Sequence, residues 1–407
     1  MGNSKLSIIL IIFLIYCCAN SSRTMESKAS GQYVINLDNV KNNPDDVFLL
    51  SSLYKGVKTI LLETNESCLI GRMNKIRVFD QYLLILDRHI AKSLYIFDKE
   101  GRFLKKIGNV GGGPGEYVEP SDFTIDKDNK IIYVLDGRSN RINKYDLVTG
   151  KFINAIKLDA NMRSYNIEYI GGKLFADAYF SKHSEDNYLL RIIQEPSGKE
   201  ENKFLNIAKY NKGISNTSLI QHEVFSLREN GNAVFTQMFM DQIIEIGRDS
   251  IFSLIEIKSK DLLSSETIKR AIEKDIYKYM MEIMQLNNYS QISNFIEHRN
   301  LIQFNCMKGN ALLAVIFNKQ THEVRIVQKK RDDLFLSEYN VNYPIPVSRI
   351  GCYDSQGVYY YYDTESIFDI KQLAVNGAFS TNLDRLEDIK KIDEDANPVI
   401  LYYEFKD

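Results

Sequence analysis

The chain has 407 residues and a formal net charge of −2, with 51 Lys and Arg set against 53 Asp and Glu. That even mixture, with no long block of one sign, excludes a protein that binds nucleic acid or another polyanion through bulk charge. Beyond residue 18 only Cys68, Cys306 and Cys352 remain, without short spacing, which excludes a dense disulfide framework and a Cys-x-x-Cys zinc site. The first element is an apolar run from Leu6 to Tyr16, preceded by Lys5 and followed by Cys17-Cys18. A secretory h-region needs about 7–15 apolar residues, and a membrane-spanning helix about 20. The run therefore reads as a signal peptide over residues 1–17, followed by a polar tether over 18–31.

This start resembles a bacterial lipoprotein signal, in which a small residue precedes a cysteine that is lipidated on its thiol. Cys18 is the expected acceptor, with the small Cys17 before it and Ile15 at the branched position further back. Cys17 is the alternative, disfavoured by the bulky Tyr16 that precedes it. Surface-exported lipoproteins of the Bacteroidota often carry acidic residues just after that cysteine, whereas here Ala19-Asn20-Ser21-Ser22 follow. The expected location is the cell envelope, anchored to the outer membrane by the N-terminal lipid alone and facing the periplasm.

From residue 32 the chain repeats. Leu84-Ile85-Leu86-Asp87, Leu94-Tyr95-Ile96-Phe97-Asp98 and Gly101-Arg102-Phe103 return as Tyr133-Val134-Leu135-Asp136, Ile142-Asn143-Lys144-Tyr145-Asp146 and Gly150-Lys151-Phe152, displaced by 48 or 49 residues. A period of about 40–50 residues built of short strands and tight turns marks a propeller blade, a four-stranded meander that must stack on its neighbours. The turn that opens the second strand of each unit is placed at Asp80-Gln81, Asp128-Asn129, Gly171-Gly172, Asn230-Gly231, Gly309-Asn310 and Gln356-Gly357. Such residues supply the left-handed or Asx conformations of tight hairpins. Six turns predict an all-β fold, a six-bladed β-propeller over residues 32–407.

The fourth interval is about 30 residues too long, and it holds the one strong helical signal. Ser264 or Ser265 caps a helix running to Asn287, with Ile268, Ile272, Ile276, Met280 and Met284 as an apolar stripe. One inter-blade α-helical insertion is expected at about 261–288. The final run, Val399 to Phe405 after Pro398, reads as an edge-type strand that closes the ring.

Ile60-Leu61-Leu62-Glu63-Thr64, Phe97-Asp98, Gly101-Arg102-Phe103, Gly111-Gly112-Gly113-Pro114-Gly115-Glu116-Tyr117 and Asn397-Pro398-Val399 together resemble the NHL-like six-bladed β-propeller lipoproteins of the Bacteroidota. The resemblance implies a fold and a compartment; no catalytic residue comes with it.

Candidate sites follow from strand order. The loop between second and third strands and the crossing to the next blade lie on one face of the disc, and binding gathers on loops carried by a rigid scaffold. That face collects Asp87, Arg88 and His89, then Gly113, Glu116 and Tyr117, then Asp136 and Arg138, then Asp363 and Glu365. The glycine cluster lacks the helix N-terminus that a phosphate loop needs. Asp126-Lys127-Asp128-Asn129-Lys130 lacks the glycine and distal glutamate of a calcium loop. The five histidines show no metal-binding spacing. No catalytic residue, metal site or cofactor is expected. The expected function is a lipid-anchored envelope scaffold that binds a peptide, glycan or protein partner on this face, with no nucleic-acid partner. The alternative is a metal-dependent hydrolase or lyase of the six-bladed type, favoured if Asp, Glu and Asn ring the central channel. A third reading is a structural part of an outer-membrane uptake complex.

Overall fold

The computed structural model describes residues 32–40, 46–160, 162–178, 187–213, 223–272, 276–337 and 349–406. The signal peptide, the whole tether and both lipidation candidates, Cys17 and Cys18, lie outside the described residues. The body is a six-bladed β-propeller. Blades 1 to 5 are four-stranded antiparallel meanders spanning Lys75–Ile107, Pro120–Lys157, Ile167–Asn206, Phe225–Lys258 and Tyr289–Val327. Blade 6 combines Arg349–Tyr353, Gly357–Tyr362 and Val399–Phe405 with the N-terminal strand Tyr54–Leu61 as its outer edge.

The strand pattern follows from stacking. Each blade is covered on both sides, so its middle strands are apolar at odd and even positions alike. Leu83, Ile85, Tyr95 and Phe97 of blade 1 pack against Tyr359, Tyr361 and Ile400 of blade 6. The alternate residues Leu84, Leu86, Leu94 and Ile96 pack against Phe123, Ile132 and Val134 of blade 2. Comparable layers separate the other blades, so the core is a ring of inter-blade seams rather than one centre.

The C-terminal strand does close the ring, but it is not an edge strand. It pairs with Gly357–Tyr362 on one side and with Tyr54–Leu61 on the other, and Val399, Ile400 and Leu401 are fully buried. Pro398 is compatible with this because it precedes the strand, where no ladder N–H is lost. The N-terminal segment reaches its place by running along the rim. Tyr33–Asn36 adds in parallel to the outer strand of blade 4, and Val47–Leu49 pairs with Lys329–Arg331 beside blade 5.

Five of the six expected turns open second strands. Gly309-Asn310 instead joins the second and third strands of blade 5, whose first turn is at Arg299-Asn300. The long inner strand Tyr289–His298 displaces the glycine turn by one hairpin, and Arg299 itself takes the positive φ of 48°. Cys306 and Cys352 lie on strands, buried and free. Cys68 is equally buried but sits in the loop that leads into blade 1.

The inter-blade insertion between blades 4 and 5 is helical, as two pieces, Ser265–Ile272 and Ile276–Gln285. Ser264 caps the first through the Thr267 N–H, 3.1 Å away. Ile268 is buried, yet Met284 at the far end of the expected stripe is 37% exposed, and Ile283 points inward instead. A second helical insertion, Ile367–Val375 with Leu386–Lys390, interrupts blade 6 between its second and third strands. It buries Ile367, Ile370, Leu373 and Ala374, a helical spacing legible in the sequence but masked by the tyrosine run before it.

Candidate ligand-binding site

The face that carries the inter-blade crossings is organised by one aspartate at the end of each of four second strands. Asp87 accepts the N–H groups of Gly71 and Arg72 at 2.8 and 3.0 Å, and those of His89 and Ile90 at 3.1 and 2.9 Å. Asp136 accepts from Val118 and Glu119, and Asp177 from Tyr165 and Asn166. Asp363 accepts from Met73, and its second oxygen lies 3.7 Å from Arg349 Nε. A carboxylate that accepts several backbone donors satisfies a crossing that has no sheet partner of its own. This is why an aspartate recurs at the end of these second strands, after Leu86, Leu135, Ala176 and Tyr362.

The glycine crossing between blades 1 and 2 is held in the same manner. Asn109–Val110 and Glu116–Tyr117 pair in parallel, the Glu116 carboxylate accepts from Gly113 N–H at 2.7 Å, and the buried Tyr117 hydroxyl donates to Ile107 O at 2.7 Å. At Gly111 a Cβ would stand 2.1 Å from Glu116 Oε2, so glycine is needed for this carboxylate to fold back. Arg138 is exposed above blade 2. Glu365 is exposed too, 3.9 Å from Arg349 Nη2.

Of the expected residues, Arg88 and His89 line a cavity on this face, of about 750 Å³. It opens at the mouth of the central channel and extends between blades 5 and 6. Its cationic lining is Arg72, Arg88, Lys330 and Arg349, against Glu223 and Asp332. Asp363 and Glu365 face a neighbouring hollow with Arg72 and Ile90. The candidates on blade 2 border neither.

The cavity exists because blade 5 is polar where other blades are apolar. Along Leu301–Lys308, Ile302, Phe304 and Cys306 face blade 4, while the intervening Gln303 and Asn305 face blade 6. The corresponding positions of blades 1 and 2 are Leu84 and Leu86, and Tyr133 and Leu135. Asn305 borders the cavity with Leu50, Leu312 and Leu336. Burial pushes the Asp332 carboxyl up, although it accepts from the Tyr403 hydroxyl and from the N–H groups of Phe335 and Leu334.

Below the mouth the channel wall is made of ion pairs between inner strands. Lys75 Nζ lies 2.7 Å from Asp122, both 2% exposed, and Arg77 lies 3.4 Å from Glu168, which also accepts from Thr124. Glu223 and Asn294 stand at the waist, bordering both the upper cavity and a lower one of about 290 Å³. Both have left-handed backbones, φ 59° and 53°, a strain that proteins keep mostly at functional positions. Burial raises the Glu223 carboxyl, with Arg77, Arg88 and Lys75 opposing the shift. Arg88 is 3% exposed, and its Nε and Nη2 make no hydrogen bond among the described residues.

Channel walls of paired cations and carboxylates differ from the ring of Asp, Glu and Asn that would favour a metal-dependent enzyme. Among the described residues no group of three or more His, Cys, Asp and Glu is placed to hold a metal ion. The sequence reading missed Arg72, Glu223, Asn305, Leu312, Lys330 and Arg349. The signal that could have found the cavity was the polar alternation of Gln303 and Asn305.

The family model described as a domain of unknown function, DUF4934, matches residues 32–404. The chain belongs to this family. A crystal structure from Bacteroides fragilis, of a protein named only as a candidate for export, is similar at 19% identity and a TM-score of 0.70, over 92% of this chain and 99% of that one. A member of the DUF4221 family from Bacteroides vulgatus is similar at 13% identity and a TM-score of 0.47, over 87% of this chain and 97% of that one. No functionally curated protein matches the chain.

Proposed function

We propose that this DUF4934 protein is a lipid-anchored, NHL-like binding protein of the cell envelope that takes its partner on the face carrying the inter-blade crossings. The observation behind this reading is the cavity of about 750 Å³ on that face, with Arg88 donors unfilled beneath it. A rigid ring of seams holds the lining residues in place, and an unfilled buried donor costs roughly 1–3 kcal/mol until something accepts from it. The signal-like start with Cys18, and the name of the Bacteroides fragilis structure, support an envelope location. A metal-dependent hydrolase or lyase is the weaker reading, because Asp122 and Glu168 are engaged by Lys75 and Arg77. None of the described residues of the Ser265–Gln285 insertion lines the cavity.

Two experiments test the reading in cells. Palmitate should label the full chain, and Cys18→Ser should abolish the label and release the protein from membranes; label that survives there but is lost in Cys17→Ser moves the anchor by one residue. A photo-crosslinking residue at position 89, on the cavity rim, should trap a partner, whereas one at position 127, on the opposite face, should not. Absence of any adduct from position 89, or equal adducts from both, overturns the binding-face assignment.

A further inference from the structure

The cavity also shows what kind of molecule it would hold, an inference that rests on the binding role above. Its two ends differ in chemistry. At the channel mouth sits Arg88, nearly inaccessible from outside, with Nε and Nη2 free of hydrogen bonds among the described residues. The Glu223 carboxylate faces it with no hydrogen bond among the described residues and is shared electrostatically with Arg77 and Lys75. Lys330 borders the same space without an ion pair among the described residues. Four cations against two carboxylates leave the lining net positive. The other end, between blades 5 and 6, is apolar: Leu50, Leu336 and Leu312, the last 55% exposed although it lies on a central strand of its blade.

We infer that the cavity binds a small organic acid, its carboxylate drawn to the net positive lining that includes Arg88 and Lys330 and its apolar body laid against Leu50, Leu312 and Leu336. A guanidinium presents its donors in a fork that matches a carboxylate, and such charge-assisted hydrogen bonds are about twice as strong as neutral ones. Removing Leu312 from water adds the hydrophobic contribution that the free protein lacks. A volume of about 750 Å³ falls within the range of small-molecule sites, about 300–1,000 Å³. Inorganic anions would fill only the charged end, and uncharged apolar molecules only the other.

The test uses the full chain in detergent below its critical micelle concentration, with the fluorescent amphiphilic anion anilinonaphthalene sulfonate as reporter. Octanoate should displace the reporter, while octanamide, equal in size but neutral, and acetate, equal in charge but short, should each need at least tenfold more. Lys330→Met and Leu312→Ser, both at positions open to the cavity, should each weaken octanoate at least tenfold with unchanged melting temperature. Arg88→Gln should do the same if it melts normally, and the first two variants decide the matter if it does not. Displacement by octanamide equal to that by octanoate, or full octanoate affinity in Lys330→Met, overturns the inference. A partner trapped from position 89 with no octanoate displacement would leave the binding face standing and remove only the ligand class.

Discussion

Arg228 clasps Glu297 with two parallel hydrogen bonds, 2.7 Å from Nε and 2.8 Å from Nη2, tying the inner edges of blades 4 and 5 together. Glu245 takes the remaining Arg228 nitrogen, and Lys319 Nζ stands 2.7 Å from Glu297. Burial alone would raise the Glu297 carboxyl, but the bonds from Arg228 and Lys319 outweigh it and hold the group below its usual range. Breaking one side of such a buried pair costs about 3–5 kcal/mol, because the other charge is left unpaired. Arg228→Met should therefore lower stability to urea by that order, and Arg228→Met with Glu297→Gln should recover part of the loss.

Asp177 should titrate in the opposite sense. Burial pushes its carboxyl up to about 6, only partly offset by bonds from Asn166 and Tyr165. A folded-state value above the unfolded one means that the folded chain holds the proton longer. Its contribution is full below the unfolded value of about 3.9 and is lost as pH rises through about 6. Denaturation at pH 5 and pH 7 should show this residue favouring the acidic condition by about 1 kcal/mol. Asp177→Asn should flatten that part of the pH profile.

Ring closure is testable at a single glycine. A Cβ at Gly357 would stand 2.3 Å from the carbonyl oxygen of Tyr403 on the C-terminal strand. Gly357→Ala must push that strand from its place between Gly357–Tyr362 and Tyr54–Leu61, at a cost of about 1–3 kcal/mol. Deleting Pro398–Asp407 removes the strand and separates the N-terminal edge from the ring. The expected result is loss of cooperative melting, and a truncation that melts like the full chain would contradict the closure.

Asp87 should prove a stability residue before it proves anything else. It accepts four backbone N–H groups, so Asp87→Ala strands donors in a crossing without other partners. A loss of about 1–3 kcal/mol is expected by chemical denaturation.

The thiols offer a check on packing. Burial pushes Cys306 and Cys352 up to about 12 and raises Cys68 as well. Thiolate is the reactive form, so none of the three should react with a disulfide reagent at pH 8 until the protein is denatured. Rapid labelling of the native protein would show that the seams at these positions open.

Blade number, the Leu-Asp endings of blades 1 and 2, five of the six hairpin turns and the place of the helical insertion between blades 4 and 5 were legible in the order of residues. Each depends on contacts within one hairpin or one helix, where Asp80, Gly231 or Ser264 acts on neighbours a few residues away. The candidate site was only half legible. Arg88 and His89 were found because strand order alone puts them on the crossing face, and Asp87, Asp136 and Asp363 were found for the same reason. Only the folded ring shows that these carboxylates are turned onto the backbone while Arg88 is left with open donors. The cavity itself draws Arg72 and Arg88 from beside blade 1, Glu223 from before blade 4, Leu312 and Lys330 from blade 5 and its exit, and Arg349 from blade 6. No periodicity links those positions. They meet because a closed propeller brings the inner ends of all its blades to one axis, and because Gln303 and Asn305 give blade 5 a polar flank where other seams close on apolar side chains.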